Sequence, residues 1–290
     1  MSVAALGIDI GGSSVKVALH DGAVIQTARS ASYQRPDRET LASAIGDAIG
    51  SLDAPNDPSI RVGLCLPGRH DEAGSAIECS FNLPCLEGWA FGALLRSALG
   101  FDPARWRVVS DVHAATIDIV RSKGLDGRVA VIAIGTGVGL GVCEQGQMCS
   151  IGSRGIGHLG QVDVGRLGDE DQVAPSGAIN TLESYIGLPA LRARHGADDE
   201  QELMRFIASL PAEDPTMRAL VAGLRVVHAI YVPDTIVLAG GVGLAMEGSG
   251  GAIHARVSDG LTTLANPDWS LRFADSLYHA ASGAAMLALD

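Results

Sequence analysis

Two stretches of this chain carry the same local instruction, and that repetition limits the fold more than any other feature. Residues 3–10 (VAALGIDI) and 15–19 (VKVAL) are β-rich runs joined by Gly11-Gly12-Ser13-Ser14, a short glycine-containing connection that predicts a hairpin. The run Val129–Ile134 leads into Gly135-Thr136-Gly137-Val138-Gly139 and on to Leu140–Cys143, which is strand, glycine turn and strand again. One such hairpin is common. Two, set about half a domain's length apart, predict a duplicated α/β architecture.

Between and beyond the hairpins, helical spacing is predicted over 39–51, 88–99, 111–122, 179–186, 200–209, 215–231 and 280–289. Strands are predicted at 61–66, Trp106–Val109, 235–239 and 271–274, with 23–30 continuing the first sheet. No low-complexity linker interrupts the chain. The repeat alone sets a boundary near 109–112, giving domains 1–110 and 111–290, with the last helix a candidate to pack back on the first domain.

Composition narrows the class. Hydrophobic residues make up 47% and charged residues 19%, which suits a packed globular protein and opposes disorder. A net charge of −12 opposes general nucleic-acid binding, which needs a basic face. It leaves room for an anionic nucleotide, because backbone N–H groups and Mg²⁺ supply positive charge locally. Five cysteines, with no C-x-x-C pair, suit reduced thiols. No apolar run is long enough to cross a bilayer and no secretory leader is legible. The expectation is a cytoplasmic protein with neither membrane nor nucleic-acid partner.

Three glycine devices can cradle phosphate. A P-loop requires a lysine directly after its last glycine. The only lysines are Lys16 and Lys123, and neither follows a glycine. The dinucleotide fingerprint occurs as Gly155-Ile156-Gly157-His158-Leu159-Gly160, but β-like residues 161–164 follow it where a helix is required. The third device is a pair of glycine hairpin turns presenting backbone amides. Glycine suits it by allowing positive φ and close backbone approach. Either hairpin alone reads as an ordinary turn; both, with Gly240-Gly241 ending a later strand, point to phosphates. Asp9, at the first turn, is placed to hold Mg²⁺ through water.

At this point the sequence resembles the ROK family of the sugar kinase, Hsp70 and actin superfamily. The first phosphate motif matches as Gly7-Ile8-Asp9-Ile10-Gly11-Gly12-Ser13-Ser14-Val15-Lys16. The second matches as Ile134-Gly135-Thr136-Gly137-Val138-Gly139, and the adenosine motif as Val237-Leu238-Ala239-Gly240-Gly241-Val242. Val62–Gly68, Asn82-Leu83-Pro84 and Ser282–Ala285 also lie at ROK-like positions. The resemblance implies two actin-like (ribonuclease H-like) domains with an active-site cleft between them. It implies an ATP- and Mg²⁺-dependent kinase of a hexose or N-acetylhexosamine hydroxyl, with a dimer as the family habit. A sugar-sensing regulator and a kinase of a non-sugar molecule are the alternatives. Regulators of this kind carry an N-terminal DNA-binding extension, whereas here the first motif starts within the opening residues.

The resemblance assigns residues as well. Ser110-Asp111-Val112-His113-Ala114-Ala115 stands where the family has its catalytic aspartate, so Asp111 is the candidate general base. By itself an aspartate before a helix also reads as a cap. Asn82, His158 and Glu183 match the family's sugar contacts. Taken alone, Asn82 also reads as a turn former and Glu183 as a solvated helix residue. The nucleotide would rest on Asp9, Gly11, Gly12, Ser13, Ser14, Lys16, Gly135, Thr136, Gly137, Gly139, Gly240 and Gly241. Two departures stand out. Gly155 replaces the glutamate of the family's sugar motif, with Arg154 a candidate to compensate, and no cysteine follows Cys149, so no structural zinc is expected.

Overall fold

The computed structural model describes residues 4–22, 25–54, 57–151, 156–196 and 199–290. They form two compact units, one of residues up to Asp118 together with Tyr278–Asp290, the other Ile119–Leu277.

The first unit is built on strands β1 (Ala5–Ile10), β2 (Val15–His20), β3 (Ile25–Arg29) and β4 (Arg61–Cys65). A two-stranded ribbon of β5 (Arg69–His70) and β6 (Ile77–Cys79) follows, then β7 (Arg105–Val109). The main sheet has the order β3-β2-β1-β4-β7, antiparallel through the first hairpin and parallel from β1 to β7. β1 is buried along its whole length, as a central strand covered on both faces must be. Helix α1 (Arg38–Gly50) begins at Asp37, whose carboxylate accepts the Thr40 N–H at 2.8 Å, and buries Leu41, Ile45 and Ala48 at helical spacing. Helices α2 (Phe91–Leu99) and α3 (Asp111–Ser122) complete this part of the chain.

The last helix, His279–Leu289, belongs to the same unit and lies on β1 and β4 through small residues. A Cβ placed on Gly7 would stand 1.9 Å from the Ala281 carbonyl oxygen, and one on Gly63 would stand 2.1 Å from that of Ala284. A Cβ on Gly283 would meet the Ala114 oxygen of α3 at 1.9 Å. Helix and sheet backbones touch here because side chains are missing.

The second unit repeats the plan. Strands β8 (Arg128–Ile134), β9 (Val138–Glu144), β10 (Gln147–Met148), β11 (Thr235–Ala239) and β12 (Ser270–Phe273) give the order β10-β9-β8-β11-β12. The hairpin arm is again antiparallel and the other arm parallel. Counted within each sheet, both units read 3-2-1-4-5, which is the duplication the repeated hairpin implied. Helices α4 (Leu182–Ile186), α5 (Leu188–His195), α6 (Glu200–Ala208), α7 (Pro215–Tyr231), α8 (Gly240–Ala245) and α9 (Gly250–Ser258) pack around this sheet. No apolar spacing predicts α5, α8 or α9. The stretch 161–164, expected to be β-like, holds the end of a 3₁₀ turn (Leu159–Gln161) and one bridge from Asp163 to Thr181, not a strand.

One core residue of this unit is a titratable group in an apolar place. His228 of α7 is 1% exposed and packs edge-on to the ring of Trp269, on which His254 stacks. Neither of its ring nitrogens has a hydrogen-bond partner among the described residues. Desolvation, and then repulsion from His254, push its pKa down to about 4. The folded state therefore refuses a proton that the unfolded chain takes up below the ordinary histidine value of 6.5. Stability is present at neutral pH and lost as pH falls towards 4, by up to roughly 3 kcal/mol at about 1.4 kcal/mol per pKa unit. Urea midpoints of the wild type and His228→Leu should diverge between about pH 7 and pH 4.5 on this account. Parallel pH dependence in the two proteins would refute it.

Candidate active site

In the first unit the β1–β2 hairpin sets out the first group of residues. Asp9 and Lys16 are cross-strand partners in register, and the Lys16 Nζ lies 3.5 Å from an Asp9 carboxylate oxygen. Asp9 is 8% exposed, so its charge is held mostly out of water with one cation beside it. The turn closes through Gly11, whose N–H donates to the Ser14 carbonyl at 3.0 Å. Arg29 Nε donates to the Ser14 hydroxyl at 2.9 Å, and the Tyr33 N–H donates to the Ser13 carbonyl at 2.9 Å. The Tyr33 hydroxyl donates to the Gly11 carbonyl at 2.6 Å. Neither Arg29 nor Tyr33 was legible as part of this turn, because both come from the segment after β2 and match no phosphate motif.

Asp111 is the first residue of α3, directly after the edge strand β7. Its Oδ1 accepts the Val112 N–H at 2.7 Å and the Ser110 hydroxyl at 3.4 Å. The carboxylate thus does sit at a helix N-terminus, where it is also available for chemistry. Its pKa is raised, first by desolvation and then by the Asp9 carboxylate, while those two donors and Lys16 act in the opposite sense. The residue is exposed to solvent, which limits how strongly the desolvation acts on it. Cys65, at the end of β4 between Asp9 and Val109 in the sheet register, is fully buried. Its thiol pKa is well raised by burial and then by Asp9 and Asp111. Asn82 lies half-buried in the bend before the 3₁₀ turn Pro84–Leu86.

In the second unit the β8–β9 turn is narrower. The Gly135 N–H donates to the Gly137 carbonyl at 3.0 Å, and the Gly135 carbonyl accepts the Leu188 N–H at 2.8 Å. Gly11, Gly135 and Gly137 all adopt ordinary φ, so the positive φ that glycine allows is not used at these turns. Their use is space. Nothing lies within 4 Å of where a Gly135 Cβ would stand, and a Cβ on Gly137 would come 3.0 Å from a Glu183 carboxylate oxygen. Left-handed φ occurs instead at Gly240, at 77°, where β11 passes into α8 and a Cβ would stand 2.4 Å from the Ile134 carbonyl.

Glu183 is not a solvated helix residue. Its Oε2 accepts the Val138 N–H at 3.1 Å, immediately after the glycine turn. Desolvation raises its pKa, while that N–H and the nearby His158 lower it. His158 is exposed and borders an apolar pocket of about 110 Å³ formed by Ile156, Leu159, Val226, Ile230 and others. Asp9, Asn82 and Asp111 therefore belong to the first unit, and His158, Glu183 and Gly240-Gly241 to the second. Arg154 and Gly155 lie outside the described residues.

Comparison with known proteins bears on the family and the fold. The ROK family profile matches residues 5–290. The bifunctional enzyme NanE/NanK of Brucella melitensis is 33% identical over 258 residues, covering 83% of this chain and 46% of that enzyme. The chain thus spans about half the length of that relative. The kanosamine kinase of Amycolatopsis mediterranei is 26% identical over 249 residues, covering 81% of this chain and 80% of the kinase. Among solved structures, the ROK family glucokinase of Streptomyces griseus in complex with glucose and AMPPNP superposes with a TM-score of 0.74 at 18% identity, over 98% of each chain. The shared fold is the actin-like one of the ROK sugar kinases. With a family match running over nearly the whole chain, this protein belongs to the ROK family.

Proposed function

We propose that the chain transfers the γ-phosphoryl group of ATP to a hydroxyl of a hexose or amino sugar. The observation that carries this reading is the head of α3, where the Asp111 carboxylate is held by the Val112 N–H at 2.7 Å, with its pKa raised by desolvation and by the Asp9 charge. A base with an elevated pKa takes a hydroxyl proton more readily than an ordinary aspartate. A relative named as a kanosamine kinase supports the reaction class.

Phosphoryl transfer asks little covalent chemistry of a protein; positioning and charge neutralisation supply most of the acceleration. The open space over Gly135 and the buried Asp9 carboxylate both fit a Mg²⁺-nucleotide. In this reading Asp9 holds the Mg²⁺ of the nucleotide through water. The turns at Gly11–Ser14 and Gly135–Gly139, with Thr136 and Lys16, contact its phosphates, and Gly240-Gly241 lie at the adenosine. Asn82, His158 and Glu183 take sugar hydroxyls, each replacing hydration with a fixed partner. Five free thiols suit a reducing compartment, and cytoplasmic placement belongs to the same proposal.

The test is ADP release with ATP·Mg²⁺ against hexoses, N-acetylhexosamines and free amino sugars. Turnover with one member of the panel is expected. Silence across the panel in a protein that still binds ATP would refute the sugar assignment.

A further inference from the structure

Glu183 sits on α4, a helix of five residues, which is too short to hold its own shape. Something else fixes the carboxylate against the Val138 N–H. The surrounding side chains identify it. Arg194 of α5 donates from Nη2 to the carbonyls of Ser184 and Tyr185, at 3.4 and 3.3 Å, the two residues that follow Glu183. Its Nη1 donates to the Thr216 hydroxyl at 2.8 Å, in the first turn of α7, and its guanidinium lies 5.4 Å from the centre of the Tyr185 ring.

Tyr185 carries the link onward. The residue is fully buried, and its hydroxyl accepts the Leu167 N–H at 2.9 Å and donates to Asn180 Oδ1 at 3.2 Å. Asn180 adopts the left-handed conformation, φ 52°, which an asparagine tolerates better than most residues. Its Oδ1 also accepts the Gln172 N–H at 3.0 Å, and its Nδ2 donates to Asp171 at 2.8 Å. Arg194 Nη2 reaches Gln172 Oε1 at 3.5 Å and closes the circuit. One guanidinium and one phenol thereby tie the loop before α4 to α5 and α7, with Glu183 in the middle. That loop, from Leu159 to Ala178, contains no cysteine.

We infer that Asn180, Tyr185 and Arg194 are positioning residues that hold the Glu183 carboxylate in its sugar-binding place by hydrogen bonds, without a metal. The inference rests on Glu183 being a sugar contact, as proposed above. A planar five-donor fork suits the task because it satisfies two consecutive carbonyls and two side chains at once.

The experiment compares steady-state kinetics of Tyr185→Phe, Arg194→Met and Glu183→Ala, varying sugar and ATP separately, using the sugar turned over by the wild type. Loss of one such buried hydrogen bond is expected to raise the sugar KM about 10-fold, with the ATP KM unchanged. Tyr185→Phe keeps the ring, so the test survives if Arg194→Met does not fold. A role in stability alone would lower kcat with the folded fraction and leave the sugar KM alone, and that result overturns the inference. Sugar affinity measured by calorimetry without nucleotide should also be indifferent to a chelator; weakening by chelation would overturn the metal-free device. If Glu183→Ala leaves the sugar KM unchanged, the sugar-contact reading itself fails and the inference with it. If Glu183→Ala raises KM and the other two variants do not, only the inference falls.

Discussion

Replacing Asp111 by asparagine is expected to lower kcat by about 100- to 10,000-fold, the usual contribution of a positioned general base. The ATP dissociation constant should stay near the wild-type value, because the substitution removes no phosphate contact named here. The electrostatics add a second, less obvious expectation. A carboxyl whose folded pKa is raised is one whose ionised form the fold disfavours at neutral pH, through desolvation and the Asp9 charge. Asparagine removes that unfavourable charge. The variant should therefore melt at or above the wild-type temperature near pH 7, being catalytically crippled but no less stable. The same raised pKa predicts that wild-type turnover falls as acid protonates Asp111. A variant with near-normal turnover would end the candidacy of Asp111 as the base. Turnover lost together with a lower melting temperature would mean that the residue acts structurally.

The largest stability effect is expected from a single methyl group on the last helix. In Gly283→Ala the new Cβ would overlap the carbonyl oxygen of the buried Ala114, a helix backbone atom that cannot rotate away. Overpacking of well-packed cores costs about 1–3 kcal/mol and occasionally more, and a 1.9 Å contact belongs at or beyond the upper end. Against a total of about 5–15 kcal/mol that is a large share. Gly251→Ala is the control. Gly251 also lies in a helix, but nothing stands within 4 Å of its Cβ position, so alanine's better helix propensity should stabilise it by up to about 1 kcal/mol. Denaturant midpoints moving in opposite directions support the close-packing account, and equal shifts would remove it.

How much of this was legible beforehand depends on the kind of signal. The strand–glycine–strand hairpins were readable because apolar runs and turn residues are local, and their repetition gave the duplicated sheet. Helix α7 was readable from its periodic apolar face. Helices α8 and α9 were not, since Gly240-Gly241 and Gly250-Gly251 read as breakers and only packing around Val242, Ile253 and Val257 makes those segments helical. Tyr33 beneath the first turn and Arg194 behind Glu183 escaped for a different reason: each acts through backbone groups distant in sequence, and such partners leave no pattern of residue types. Of the two reasons for reading glycine at these turns, positive φ and close backbone approach, the first is not used at Gly11, Gly135 or Gly137. Their φ is ordinary, and what glycine provides at Gly135 is an unoccupied place beside the backbone.

The assignment of the last helix to the first unit has a consequence for how the chain matures on the ribosome. Residues 119–277 are contiguous, so the second unit has its whole sequence available while translation is still under way. The first unit does not. The segment that fits against the backbone at Gly7 and Gly63 is synthesised more than two hundred residues after β1. Until it emerges, the face of β1 and β4 that it covers lacks its partner and is a target for chaperones or for mispairing. A released chain truncated before Tyr278 should thus hold a protease-resistant second unit beside a protease-sensitive first one, although the first was made earlier.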